Sequence, residues 1–180
     1  TAKRFAYENP AAMDDLLEAI AISSADYLIG QAKAGANALK IFESWAQGLS
    51  APLFDKLVVR PTKIMIDRVR AAGVDIPIIG FPRAAGLNIH HYCDTIGVNA
   101  VAAGTDTPLS ELRKIVGPNR AIQGNLDPLA LRIGGDVLRG AVQAVLDDAA
   151  RAGGPYIFNL GHGVSPDVKI GNVHAVINHL

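Results

Sequence analysis

The sequence predicts an α/β fold built on a parallel sheet, and three observations predict it. Five short apolar runs, residues 38–42, 76–80, 99–103, 121–123 and 156–160, are continuous rather than alternating, the pattern of strands covered on both faces. Segments with helical apolar spacing lie between them. Every gap is long enough for the crossover of roughly a dozen residues that joins parallel neighbours.

The elements follow in order. The first helix opens at Asn9-Pro10, with Asn9 as N-cap and Pro10 at the first helical position. It places Met13, Leu16, Leu17 and Ile20 on one face and continues toward Gly35. After the first strand, a helix is expected over 57–72, closed by Gly73 just past its end. The second strand leads into a helix carrying His90, His91 and Cys93. A long helix over 136–152 is stopped by Gly153-Gly154-Pro155 and followed by the last strand. A terminal helix carries His174 and His179 as solvated surface residues. Two architectures fit: a five-stranded doubly wound sheet, complete at this length, or a (β/α)₈ barrel, which typically takes ~250 residues and is here cut short. The pattern alone leaves both open. With no fixed-period repeat, low-complexity tract or Pro/Ser linker, residues 1–180 read as one unit.

Composition narrows the function classes. At 49% hydrophobic and 19% charged, the chain can bury a sizeable core. With 17 basic and 17 acidic residues the formal charge is zero, so nothing global steers it toward nucleic acid or an anionic membrane. An anionic ligand has to be held locally. No apolar run approaches the roughly 20 residues that span a bilayer. Cys93 is the only cysteine, which excludes an intrachain disulfide framework and suits a reducing cytoplasm. The opening Thr1-Ala2-Lys3-Arg4 has neither an initiator Met nor the apolar segment of a secretory signal, so the sequence is expected to begin inside a longer one.

In either architecture the chemistry belongs in loops after the carboxyl ends of the strands. The first such loop, Phe42-Glu43-Ser44-Trp45, offers a carboxylate, a hydroxyl and an indole; the plain alternative is that Ser44 caps a turn and Trp45 packs. The second, Gly80-Phe81-Pro82-Arg83, brings a cation able to meet a carboxylate bidentately. The third and fourth present Asp106 and Asp127. Asp127 precedes Pro128 and reads as a helix N-cap. The fifth contains Gly161-His162-Gly163. Its glycines permit positive φ and close approach to a ligand, and the His162 imidazole can donate to a carboxylate or move a proton near neutral pH.

Other enzyme signatures are missing. There is no GxGxxG after the first strand, no GxxxxGK[ST] and no Gx[SC]xG elbow. His90, His91 and Cys93 form a nominal metal cluster, with His90 and Cys93 at i, i+3. They lie past the loop, on a helix whose simplest reading exposes the histidines and buries the cysteine.

The peptides Phe42-Glu43-Ser44, Gly80-Phe81-Pro82-Arg83, Gly124-Asn125-Leu126-Asp127-Pro128 and Asn159-Leu160-Gly161-His162-Gly163, in this order and at this spacing, resemble the uroporphyrinogen decarboxylase family over essentially the whole chain. The resemblance implies the C-terminal portion, about five βα units, of a (β/α)₈ TIM barrel, with the N-terminal part of the barrel domain absent. It further implies a carboxy-lyase of haem biosynthesis that removes four acetate carboxyls from uroporphyrinogen III to give coproporphyrinogen III. No metal or organic cofactor is implied: protonation of a pyrrole α-carbon makes the ring itself the electron sink for the departing CO₂. Ser44, His162 and Phe42 match substrate-contacting positions of the family, and Arg83 and Asp106 match positions near the pocket. The family's carboxylate under the macrocycle precedes the matched region, so no catalytic residue is assigned.

A cytoplasmic homodimer acting on uroporphyrinogen, without nucleic acid or membrane, is the corresponding expectation, with the 180-residue chain inactive alone. Two alternatives remain. One is a non-catalytic half-barrel that binds a tetrapyrrole or a partner. The other is a corrinoid methyltransferase relative, whose zinc site of one His and two Cys cannot be built with Cys93 alone.

Overall fold

Pro10 and the glycine at position 35 bracket the longest helix as the sequence predicts, and the structure, a computed structural model describing residues 2–180, adds a helix before it. Helix α1 spans Ala2–Glu8 and α2 spans Pro10–Lys33. Asn9 separates them without a capping side-chain bond; its amide closes α1 on Phe5 O at 2.8 Å. The predicted apolar face is only half correct. Met13 is buried, but Leu16 and Ile20 are 49% and 51% exposed. The helix instead packs on α4 (Arg60–Ala71) through Ala21, Ala25 and Leu28, because small side chains let two helices approach closely.

The chain forms two units, one ending at Val98 and one beginning at Asn99. In the first, strand β1 (Leu39–Glu43) pairs in parallel with β2 (Ile78–Pro82), with Phe42 opposite Phe81. Between them run α3 (Ala51–Phe54), a wider turn over Asp55–Val59, and α4. The expected single helix over 57–72 is thus longer and bulged. Pro61 has no amide to give to residue 57, and the Arg60 amide reaches back five residues to Asp55 O, the pattern of a π-type turn. Strand β2 starts two residues later than expected, because Pro77 lacks a donor and the Ile76 carbonyl is held by Arg70 Nη1 at 2.9 Å. Helix α5 (Asn88–Ile96) closes the unit, ending at Gly97 with φ 72°.

In the second unit β3 (Ala100–Ala102), β4 (Ala121–Leu126) and β5 (Tyr156–Leu160) are parallel neighbours in chain order. Strand β4 runs three residues beyond the expected 121–123, because Gly124, Asn125 and Leu126 pair with Phe158, Asn159 and Leu160. Helices α6 (Leu109–Val116), α7 (Pro128–Ile133), α8 (Gly135–Ala152) and α9 (Ile170–Ile177) surround them. Leu126, Leu131, Leu138, Val142 and Val176 form the core between β4 and these helices. Asn172 of α9 donates to Leu131 O at 2.8 Å, closing an open carbonyl at the end of α7.

Candidate functional site

The parallel register brings the carboxyl ends of β1 and β2 to one edge, and there the first unit assembles its site residues. The Phe42 and Phe81 rings meet edge to face, with centroids 6.1 Å apart at 78°. Phe81 is buried whereas Phe42 is 64% exposed, an uncovered aromatic surface at a strand end.

Beyond it, the turn is capped by Glu43, whose Oε1 accepts the Trp45 amide at 3.0 Å. The capping task that the plain alternative gave to Ser44 therefore falls to its neighbour. Ser44 contributes its backbone: its carbonyl accepts Arg83 Nε at 3.0 Å. The Arg83 amide donates to Glu43 O at 3.0 Å, and the guanidinium lies 5.8 Å from the Trp45 ring centroid, within cation–π range. Arg83 thus ties the loop after β2 to the loop after β1. With Nε engaged, its Nη groups hold the donors suited to a carboxylate. Trp45, for which packing was the plain alternative, is 75% exposed, and its ring lies against this guanidinium.

In the second unit the loops after β3, β4 and β5 are braced by β4. Asn125 Nδ2 donates to Gly104 O at 3.0 Å and Thr107 O at 2.7 Å, fixing the turn that carries the exposed Asp106. Asp127 accepts the Leu129 amide at 2.8 Å, the N-cap that its sequence context predicts. Tyr156 donates its hydroxyl hydrogen to Gly124 O, and burial pushes that phenol up to about 12.

His162 is exposed, and its Nδ1 accepts the Gly163 amide at 2.7 Å. A neutral imidazole in this arrangement carries its hydrogen on Nε2, leaving a donor directed by the loop itself. The flanking glycines act differently from expectation. Neither adopts positive φ; a Cβ on Gly161 would lie 2.7 Å from Thr105 N and Cγ2, so Gly161 is required by contact with the β3 loop.

The histidines on α5 pair locally, His90 Nδ1 with Asp94 at 3.3 Å and His91 Nε2 with Asp55 at 2.8 Å, while Cys93 is fully buried. Their arrangement matches the simple reading of that helix. Among the described residues no group of three or more His, Cys, Asp or Glu is placed to hold a metal ion, and no helix is long and apolar enough to cross a membrane. His174 is exposed; His179 lies just past α9 and contacts Gln143 Oε1 at 3.2 Å.

Two contributors escaped the sequence reading. Asn125 braces a loop 18 to 21 residues away, which no local pattern reports. Lys40, inside β1, has Nζ 4.8 Å from the Phe42 centroid and 5.1 Å from that of Phe81. Its one signal was a charge within an otherwise apolar strand.

Comparison with known proteins agrees with the loop motifs. A solved methyltransferase from Methanosarcina mazei superposes with a TM-score of 0.80 over 99% of this chain and 51% of its own, at 15% identity. That likeness concerns the fold alone and matches the five βα units to part of a (β/α)₈ barrel. Curated uroporphyrinogen decarboxylases are nearer in sequence. The protein of Maricaulis maris is 48% identical over 172 residues, covering 96% of this chain and 49% of that protein. Those of Caulobacter vibrioides and Phenylobacterium zucineum are 47% and 45% identical, each covering 99% of this chain and about half of the relative. The chain spans about half the length of the curated relatives it matches. The uroporphyrinogen decarboxylase family model matches residues 1–180, and with relatives at this level of identity the chain belongs to the uroporphyrinogen decarboxylase family.

Proposed function

We propose that this chain supplies the C-terminal part of a barrel that decarboxylates the four acetate arms of uroporphyrinogen III to give coproporphyrinogen III. The observation that carries this reading is the cluster at the ends of β1 and β2: an uncovered Phe42 beside Ser44, with Arg83 tethered to the Ser44 carbonyl at 3.0 Å. A flat apolar surface flanked by a hydroxyl and a guanidinium suits a macrocycle rimmed with carboxylates.

In this reading Phe42 packs against the macrocycle, and the Ser44 hydroxyl and the His162 Nε2–H donate to substrate carboxylates. Arg83 adds positive charge at the same edge. Asp106, on its braced loop, is a further candidate for contact with the same substrate. These groups bind and orient; the protonated pyrrole serves as electron sink, so catalysis is chiefly positioning and electrostatic stabilisation. The protein acts in the cytoplasm as a homodimer, and residues 1–180 form one part of a single barrel domain whose remaining residues complete the site.

An anaerobic assay for coproporphyrinogen tests the proposal, run on the chain alone and after mixing with the polypeptide corresponding to the first half of the Maricaulis maris relative. Turnover only in the mixture is the expected result. In that mixture, His162→Gln lowers kcat/KM roughly tenfold to a hundredfold, the loss of one hydrogen bond to a charged group. Turnover by the chain alone refutes the half-site reading. Failure of the mixture both to bind and to convert a tetrapyrrole refutes the function.

A further inference from the structure

In the second unit the side chains of β5 alternate across the sheet. Phe158 and Leu160 pack into the core between β4 and the helices, so Ile157 and Asn159 lie on the opposite face, which in a (β/α)₈ barrel lines the interior. The parallel register sets Asn125 of β4 beside Asn159 on that face. Barrel interiors are filled in layers, mostly by bulky branched apolar residues. Ile157 follows that rule. Two residues nearer the carboxyl end, Asn159 breaks it, and so does Asn125 beside it. The change from apolar to amide side chains marks the level at which a packed core gives way to the floor of a pocket.

The two amides are engaged differently. Asn125 gives its Nδ2 hydrogens to Gly104 O and Thr107 O, which is a bracing task. Asn159 instead accepts the Leu160 amide on its own Oδ1, at 2.7 Å. That bond fixes the acceptor end of the side chain, while its Nδ2 has no partner among the described residues. The residue is half-buried, where an unpaired amide costs free energy, and a β-branched apolar residue would suit the strand better. A donor held in this way at the carboxyl end of a strand is matched to an acceptor that enters the barrel from outside.

We propose that Asn159 is a further substrate-binding residue, its Nδ2 donating to a carboxylate arm of the tetrapyrrole from the interior face of β5, just before the Gly161-His162-Gly163 loop. The inference rests on the decarboxylase reading and extends it from the loops to the strand itself. His162 is an exposed donor on a glycine-flanked loop, whereas Asn159 sits in a paired strand and is tied to its own backbone. Donors built on strands hold their geometry more closely than donors on loops, so Asn159 sets where the arm lies and His162 follows it.

The test is run on the chain mixed with the first half of the Maricaulis maris relative, titrated with uroporphyrin III and followed by porphyrin fluorescence at several ionic strengths. Wild type is compared with Asn159→Asp, Asn159→Ala and His162→Gln, with the melting temperature and the co-elution of the two halves measured for each. Asn159→Asp keeps the size of the side chain and an oxygen for the Leu160 amide, but puts negative charge where the donor was. It is expected to bind roughly tenfold to a hundredfold more weakly, with a deficit that narrows as salt screens the repulsion, at wild-type melting temperature and co-elution. Asn159→Ala, which adds no charge, is expected to lose roughly tenfold without that salt-dependent part, and it decides the matter if Asn159→Asp fails to assemble. Wild-type affinity in Asn159→Ala, beside weakened binding in His162→Gln, overturns the role of Asn159 and leaves the decarboxylase reading standing. A lowered melting temperature or weakened co-elution with unaltered affinity assigns the amide to the strand or to the contact between halves, and overturns it too. Absence of uroporphyrin binding by the wild-type mixture overturns the decarboxylase reading, and this inference with it.

Discussion

At the residue scale, Gly80 shows how one missing methyl group sets the packing of a whole face. The Tyr92 ring occupies the space of its absent Cβ, and the ring is fully buried. Gly80→Ala should cost about 1–3 kcal/mol by overpacking, read as a lower urea midpoint at unchanged slope. Burial pushes the Tyr92 phenol well above its ordinary value. The Thr62 hydroxyl is near enough to moderate that shift, but the Tyr92 hydroxyl has no partner with hydrogen-bond geometry among the described residues. Tyr92→Phe is therefore expected to leave stability unchanged or raise it, and to lessen the cost of Gly80→Ala in the double variant. Neither effect is legible in the sequence, where Gly80 reads as part of a loop motif and Tyr92 as one more aromatic on a helix. Asp127 is the opposite case. Its role as N-cap needs only the adjacent Pro128 and the next amide, so local sequence suffices.

At the element scale, two arginines repeat one device. Arg70 of α4 donates from Nη1 to Val74 O and Ile76 O, at 2.7 and 2.9 Å, before β2. Arg113 of α6 donates to Gly117 O, Arg120 O and Pro155 O, at 2.9, 2.6 and 2.9 Å, before β4 and β5. Each clamps the turn between a helix end and the next strand. Arg113→Met should cost about 2–3 kcal/mol, since it strands three carbonyls in a buried place, and chemical denaturation measures it.

A second device joins α8 to α6: Asp148 accepts the Leu109 and Ser110 amides at 2.7 and 3.4 Å. Burial alone raises its pKa, but bonds from Ser110, Leu109 and Arg151 outweigh burial and hold it below the ordinary carboxylate value. A depressed folded pKa gives stability that is full above the unfolded value of about 4 and is lost as pH falls through the folded one. Asp148→Asn should therefore flatten the acid limb of a melting-temperature profile and lower its plateau at neutral pH. The elements themselves were largely legible: β5 falls where its apolar run predicts, and α8 begins one residue from its expected start. The bulged turn over Asp55–Val59 was not. Its cause, the missing amide of Pro61, acts through a hydrogen-bond ladder rather than through apolar spacing.

At the scale of the whole molecule, apolar surface is the conspicuous feature. Tyr27 is 69% exposed and Ile157 41%, alongside Leu16, Ile20 and Phe42. The strand edge of β1 away from β2 carries the cavity beside Lys40. Surfaces of this kind mark contact sites. The isolated chain should enhance the emission of a naphthalene sulfonate dye, and addition of the first half of a relative should suppress it; an unchanged signal on mixing argues against docking.

The sequence distinguishes these levels unevenly. Strand ends and their loops announce themselves through motifs, whereas side chains such as Lys40 and Asn125 gain meaning only when distant segments meet. The arginine clamps lie before the strands, and the Phe42, Ser44, Arg83 and His162 loops lie after them. On the proposed function, foldedness and recognition are written at opposite ends of the strands. Natural variation can revise the ligand-facing ends while the clamped ends keep the chain folded, so such a scaffold is open to acquiring new substrates without first surrendering its architecture.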